Sequence, residues 1–273
     1  MTAVAIAPTT PSTFERTPRM RTIRDTWLIF QRQMMLVLRN PVWLIVGVIQ
    51  PLYYLLLFGP LLKPALRSMG ATTNAQVYQI FIPGLLVMLA IFGTFFVGFA
   101  LIAELRAGVI ERSRVTPVSR LALLLGRSLR DVVSLLFQCL IITLLSIPFG
   151  LKVQFGNVLL AYLLLGLIAL MLSALSYGIA LKLRSEDALA PLLNTVGQPI
   201  LLLSGILLPL LYAPGWLRGV AKWNPFSWAV DAARALFDGH PGDASVWKAL
   251  LILGVLTAAA VTWAARSFAR SIR

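Results

Sequence analysis

Ten Asp and Glu, one histidine and one cysteine are all that this chain of 273 residues offers for acid–base, nucleophilic or metal chemistry. His240 stands in a Gly/Pro-rich loop and Cys139 inside an apolar run, so neither a metal set nor a Ser/His pair can be assembled from them. Cys139 reads as a small packing residue and His240 as a loop residue. No Gly-x-x-x-x-Gly-Lys-Ser/Thr run is present, so the chain has no P-loop for nucleotide phosphates. What remains is one charged island, Glu104-Leu-Arg-Ala-Gly-Val-Ile-Glu-Arg-Ser-Arg-Val-Thr-Pro-Val-Ser-Arg120. Its chemistry is electrostatic. Set between two long apolar runs it must lie in water, and a helix plus turn held there is a place for a soluble partner to push.

The elements that position the island follow from composition. Mean hydropathy is +0.85. Charged residues make up 12% of the chain, against about 25% in soluble domains. Apolar runs of roughly 20 residues recur, enough for a helix to cross about 30 Å of hydrocarbon. The expectation is an all-α integral membrane protein with six transmembrane helices, at about 42–62, 79–103, 129–150, 158–181, 190–211 and 247–265. Residues 1–20, rich in Thr and Pro, read as a disordered tail and not as a signal peptide. Residues 21–41 read as an amphipathic interfacial helix: Ile23, Trp27, Phe30, Met34 and Val37 recur at helical steps, with Arg24 and Arg32 largely opposite. The membrane domain proper is 42–268, with a tail at 269–273. Seventeen of the 24 Lys and Arg fall on the side of the termini and seven on the other, which places both termini and the island in the cytoplasm. The net charge of +14 has the same origin, and nucleic acid is not an expected partner.

No ionisable residue is expected deep in a span, which disfavours an ion-coupled transporter. Uphill transport would then draw its energy from another subunit. The interior polar groups are neutral, among them Gln50, Gln138, Asn194, Gln198 and Ser204. Gln50-Pro51 and Gln198-Pro199 mark two kinked spans. Either they line a translocation path, with Gln50, Tyr53, Asn194, Gln198 and Ser204 facing it, or they are ordinary membrane kinks. Ala90, Thr94 and Gly98 form a small-residue stripe suited to tight helix packing. In the outer connection 212–246, Trp216, Val220 and Trp223 share a helical face, and a second short helix follows Asn224-Pro225, capped by Ser227. This segment is either an outer gate, carried by Trp216, Trp223, Asn224 and Pro225, or an interfacial anchor.

Three stretches resemble the permease subunits of type-2 ATP-binding-cassette exporters, in particular the daunorubicin-resistance permease family. They are Arg106-Ala-Gly-Val-Ile-Glu-Arg-x-x-Val-Thr-Pro-Val-Ser-Arg120, Leu-Ser204-Gly-x-x-x-Pro209, and Pro214-Gly-Trp-Leu…Asn224-Pro-Phe-Ser-x-Ala-Val-Asp231-Ala-x-Arg234. Their order and spacing agree from about residue 21 to the end, although Val109-Ile110 departs from the family's pattern before Glu111. The resemblance implies a bacterial plasma-membrane subunit that is not itself an enzyme and binds no cofactor. It implies a dimer with a second permease copy or close homologue, and two cytoplasmic ATPases holding ATP and Mg. The ATPases would dock on the amphipathic helix and on a coupling segment, 104–120, through Glu104, Arg106, Gly108, Glu111, Arg112, Arg114, Thr116 and Pro117. The expected cargo is an amphipathic or hydrophobic drug or lipid-like compound. The alternatives are a lipid or polysaccharide exporter of the same superfamily, a non-transporting membrane scaffold, and a secondary drug transporter.

Overall fold

The computed structural model describes residues 18–61, 64, 73–108, 119–206 and 213–271, and every regular element among them is helical. Helix α1, Pro18–Arg39, begins on a proline and stops before Pro41. Helix α2, Val42–Tyr53, carries Pro51 in its interior. Proline removes a donor there, and the helix passes into a π-helical turn, Tyr54–Phe58, before regular turns resume to residue 61.

Helix α3, Asn74–Phe95, opens on a capping box in which Thr73 and Gln76 satisfy each other's backbone N–H groups. It breaks at Phe96-Val97, and α4 runs on as Gly98–Arg106. Ser176 spans the break. Its Oγ donates to Phe95 O at 2.6 Å and accepts from Gly98 N at 2.9 Å. A Cβ on Gly98 would lie 2.8 Å from Ser176 O, so the Ala90, Thr94 and Gly98 stripe is where this pair of helices meets the next at backbone distance.

Helix α5, Arg120–Ser146, is capped by Ser119 and starts nine residues before the expected inner boundary of its span. Helix α6, Phe155–Leu183, is apolar nearly all round and is the central post: Leu164, Leu165, Ile168, Ala169, Leu172 and Tyr177 are buried. It packs against α3, α4 and α5, and α10, Ala244–Ser271, runs along it. Helix α7, Glu186–Leu203, carries two acidic residues in its first turn and prolines at 191 and 199. Only Leu189, Leu193 and Gly197 of its 18 residues are buried.

The outer segment contains the two short helices expected, α8, Gly215–Ala221, and α9, Pro225–Phe237. The cap of α9 is Asn224, not Ser227: Pro225 occupies the first helical position, and Asn224 Oδ1 accepts from Phe226 N. Ser227 Oγ instead donates to Ala221 O and Asn224 O. Helix α9 packs into the bundle through Phe226, Val230, Leu236 and Phe237, which are buried.

Among the described residues, four helices are long and apolar enough to cross a membrane: Ala75–Arg106, Arg120–Phe149, Phe155–Leu183 and Ala244–Arg270. The two other expected spans are shorter here. One is the apolar helix Ile45–Leu61. The other is α7, whose apolar run is diluted by Glu186, Asp187, Asn194 and Gln198 and whose continuation at 207–211 lies outside the described residues.

Candidate functional site

A partly open cavity of about 820 Å³ lies between α2, the α3–α4 pair, α5 and the start of α7. One wall is aromatic. Phe92, Phe96 and Phe99 recur at helical spacing across the α3–α4 break, with adjacent ring centroids 6.2 Å apart and nearly parallel. Val46, Gly47, Gln50 and Pro51 of α2 face them, with Ser134 and Gln138 of α5 between. Gly47 has to be small, because a Cβ there would stand 2.5 Å from Gln138 Nε2.

The floor is charged. Glu104, Arg130, Asp131 and Glu186 line it. Arg130 donates to Asp131 Oδ1 through Nε at 2.9 Å and Nη2 at 2.5 Å, and Tyr177 Oη donates to Asp131 Oδ2 at 2.5 Å. Arg130 Nη1 reaches Gln33 Oε1 of α1 at 3.5 Å. Arg127 Nη2 stands 2.5 Å from Glu104 Oε2, an ion pair joining α5 to α4, with the Arg127 side chain 8% exposed. Arg106 Nη1 stands 3.2 Å from Glu186 Oε1, joining α4 to α7, with side chains 58% and 39% exposed. Five helices therefore meet in one polar layer: α1, α4, α5, α6 and α7. Each buried charge in it is opposed, as a low-dielectric setting requires.

This layer gathers where α4 ends at Arg106 and α7 begins at Glu186, and of its charged residues only Arg130 and Asp131 fall inside an expected span, in its first turn. Helix α5 starts at Arg120, so Arg127, Arg130 and Asp131 sit two to three turns inside it. Their spacing of three and four puts them on one face, and the Ser119 cap was the available signal for the earlier start. Tyr177 and Gln33 gave no such signal, since only the tertiary fold brings them to α5.

The coupling residues divide. Glu104 and Arg106 end α4, but their carboxylate and guanidinium hold neighbouring helices within the chain. Gly108 makes the turn that follows, at φ +68°, with open space where a Cβ would be. Glu111, Arg112, Arg114, Thr116 and Pro117 lie outside the described residues. Arg24, Trp27 and Arg32 are exposed on α1, whose other face packs on α5 with Ile29 against Gly126.

Of the five path candidates, Gln50 alone lines the cavity. Tyr53 is exposed, Asn194 donates to Ala190 O of its own helix, and Gln198 is exposed. Ser204 is buried with its hydroxyl on Leu201 O.

In the outer segment, Trp216 and Trp223 are 72% and 88% exposed. Asn224 Nδ2 donates to Ile200 O at 3.2 Å, which fixes α9 to α7, and Pro225 starts α9. Sequence reading gave Arg234 no role. Its Nε donates to Ile80 O, and its Nη2 to Gly205 O at 2.8 Å and Ile206 O at 3.2 Å. It thereby clasps the unwound end of α7 onto α3. Burial lowers its pKa to about 10, still protonated at neutral pH, with Asp231 opposing the shift.

The family model for ABC-2 type transporters matches residues 24–237, which takes in α1, the cavity, the charged floor and both outer helices. The chain belongs to the ABC-2 type transporter family. It is an all-helical membrane protein and a transport permease subunit. It is 28% identical over 250 residues to the daunorubicin resistance ABC transporter permease protein DrrB1 of Streptomyces coeruleorubidus, covering 88% of this chain and 83% of that one. It is also 28% identical over 217 residues to the putative transport permease ycf38 of Cyanophora paradoxa, covering 79% and 74% of the two chains.

Proposed function

We propose that the chain is the membrane half of an ATP-driven exporter for an amphipathic or hydrophobic compound, with ATP hydrolysed by separate subunits. The observation that carries this reading is the cavity, in which an aromatic and aliphatic wall stands above a floor of paired charges. Such a site takes a molecule with an apolar body and a polar end. A polysaccharide would find few hydrogen-bonding groups along the wall. Two copies of the permease assemble with two ATPases, which dock on the 104–120 segment and on α1. The six-span arrangement has α2 and α7 completing the membrane domain. Both termini lie in the cytoplasm of a bacterial cell.

The test is reconstitution of the chain with its co-purifying ATPase into inverted vesicles, with daunorubicin as the probe because a relative's name carries it. ATP-dependent uptake is expected, and Phe96→Ala should raise the apparent KM several-fold. Absence of any co-purifying ATPase, or uptake indifferent to ATP, would overturn the assignment.

A further inference from the structure

Among the described helices, α3 to α6 form a welded body, and α7 is held to it more loosely. Ser176 fixes both sides of the α3–α4 break to α6. Tyr177 fixes α6 to Asp131 of α5, and the nearly buried Arg127–Glu104 pair fixes α5 to α4. Helices α3, α4, α5 and α6 are therefore tied into one piece. Helix α7 is different. Three of its 18 residues are buried, and two prolines interrupt its hydrogen bonding. Its outer end is held by Asn224 and Arg234. Its inner end is held to the body by the Arg106–Glu186 pair.

The exposure of that pair is informative. Ion pairs open to solvent contribute little to static stability. Such a contact is poorly suited to cementing a fold and well suited to opening and closing within a transport cycle. Arg106 is also the last residue of α4, two residues before the left-handed Gly108 turn, so it sits where a push on the cytoplasmic segment enters the bundle. Glu186 lines the cavity floor. The pair thus links the end of α4 to the cavity floor and the start of α7, beside the packing of buried Leu189.

We infer that Glu186 is a positioning residue: through Arg106 it makes α7 follow the cytoplasmic segment, so that the wall of the cavity moves when the ATPases close. This rests on the permease reading above. The link is directional and local. It requires opposite charges at positions 106 and 186 but is indifferent to which position carries which sign.

The experiment uses the reconstituted complex with a nitroxide on Leu192→Cys, an exposed α7 site, native Cys139 being fully buried. Solvent accessibility of the label is compared without nucleotide and with ATP plus vanadate. With the native pair a change of at least twofold is expected. Glu186→Arg should abolish that change, and the exchange Arg106→Glu with Glu186→Arg should restore it to at least half. If Glu186→Arg does not accumulate, Glu186→Gln is read in the same way and should reduce the change at least threefold. A full response in Glu186→Arg or Glu186→Gln, no restoration by the exchange, or no response with the native pair would each overturn the inference. A merely structural pair would lower yield without erasing the nucleotide-dependent step. ATP-driven daunorubicin uptake, measured on the same vesicles, tests the permease reading separately. Uptake with an unresponsive Leu192 label sinks this inference alone, and absent uptake sinks the parent reading.

Discussion

At the residue scale the charged floor makes the sharpest claims. Asp131 is the hub, accepting from Arg130 and from Tyr177. Asp131→Ala removes the carboxylate and strands Arg130, whose side chain is 16% exposed. Breaking a buried pair from one side costs about 3–5 kcal/mol, so the expected result is poor accumulation and a large fall in thermal midpoint in detergent. Tyr177→Phe deletes the hydrogen bond donated to Asp131 and the longer one accepted from Arg130 Nη2 at 3.2 Å but leaves the Arg130–Asp131 pair, and should cost about 1.5–3 kcal/mol by the same measurement. Parity between the two variants would argue against Asp131 as the hub. In the outer loop, Asp243 Oδ1 accepts from Ser245 N at the start of α10. Its hydrogen bonds to Ser245 hold its carboxyl below the ordinary value of 3.8. A depressed carboxyl stabilises the fold fully above that ordinary value, and the contribution is lost as pH falls through the lower folded value. Acidification below pH 3.8 should therefore speed amide exchange in the first turn of α10, while Asp243→Asn should flatten that pH dependence.

At the element scale the claims concern which helix faces do what. Gln50 lines the cavity and Gln198 does not, although both precede a proline in a kinked helix. Gln50→Ala is expected to shift the apparent KM for export several-fold, and Gln198→Ala to leave it within twofold; a reversed order in vesicle uptake would relocate the cavity. Gly98→Ala drives a methyl to 2.8 Å from Ser176 O, and such overpacking costs about 1–3 kcal/mol, readable as a lower thermal midpoint. Long apolar runs made α3 to α6 and α10 legible in the sequence, because a membrane span is specified by length and hydropathy alone. Pro225 likewise announced α9. The polar layer was not legible, because Gln33, Glu104, Arg127, Asp131 and Tyr177 are far apart in the chain and meet only when α1, α4, α5 and α6 pack. Arg234 was hidden for a similar reason: its partners are backbone carbonyls, and any residue supplies those.

At the scale of the whole molecule, the division between the welded body and α7 determines what a soluble partner must do. On the proposed reading an ATPase grips the segment after α4, and Glu111 and Gly108 are the residues named there by resemblance. Glu111→Arg combined with Gly108→Trp should abolish co-purification of the ATPase, with the permease itself still accumulating. Retention of a normally coupled ATPase would move the docking surface elsewhere, with α1 the next face to test. The apolar residues exposed along α1 and α2, Trp27, Leu36 and Ile45 among them, form the face available to lipid or to a second copy.

The π-helical turn at Tyr54–Phe58 sets the phase of the helix beyond it. A turn with i→i+5 bonding accommodates one more residue than regular winding does. Downstream of it, Gly59 is buried, with Tyr78 so close that a Cβ would lie 2.8 Å from its ring. Deleting one residue from 54–58 would restore ordinary winding and rotate Gly59 away from Tyr78 by roughly 100°. The wide turn thus works as a phase adjuster, bringing the one side-chain-free position of this stretch under the tyrosine ring.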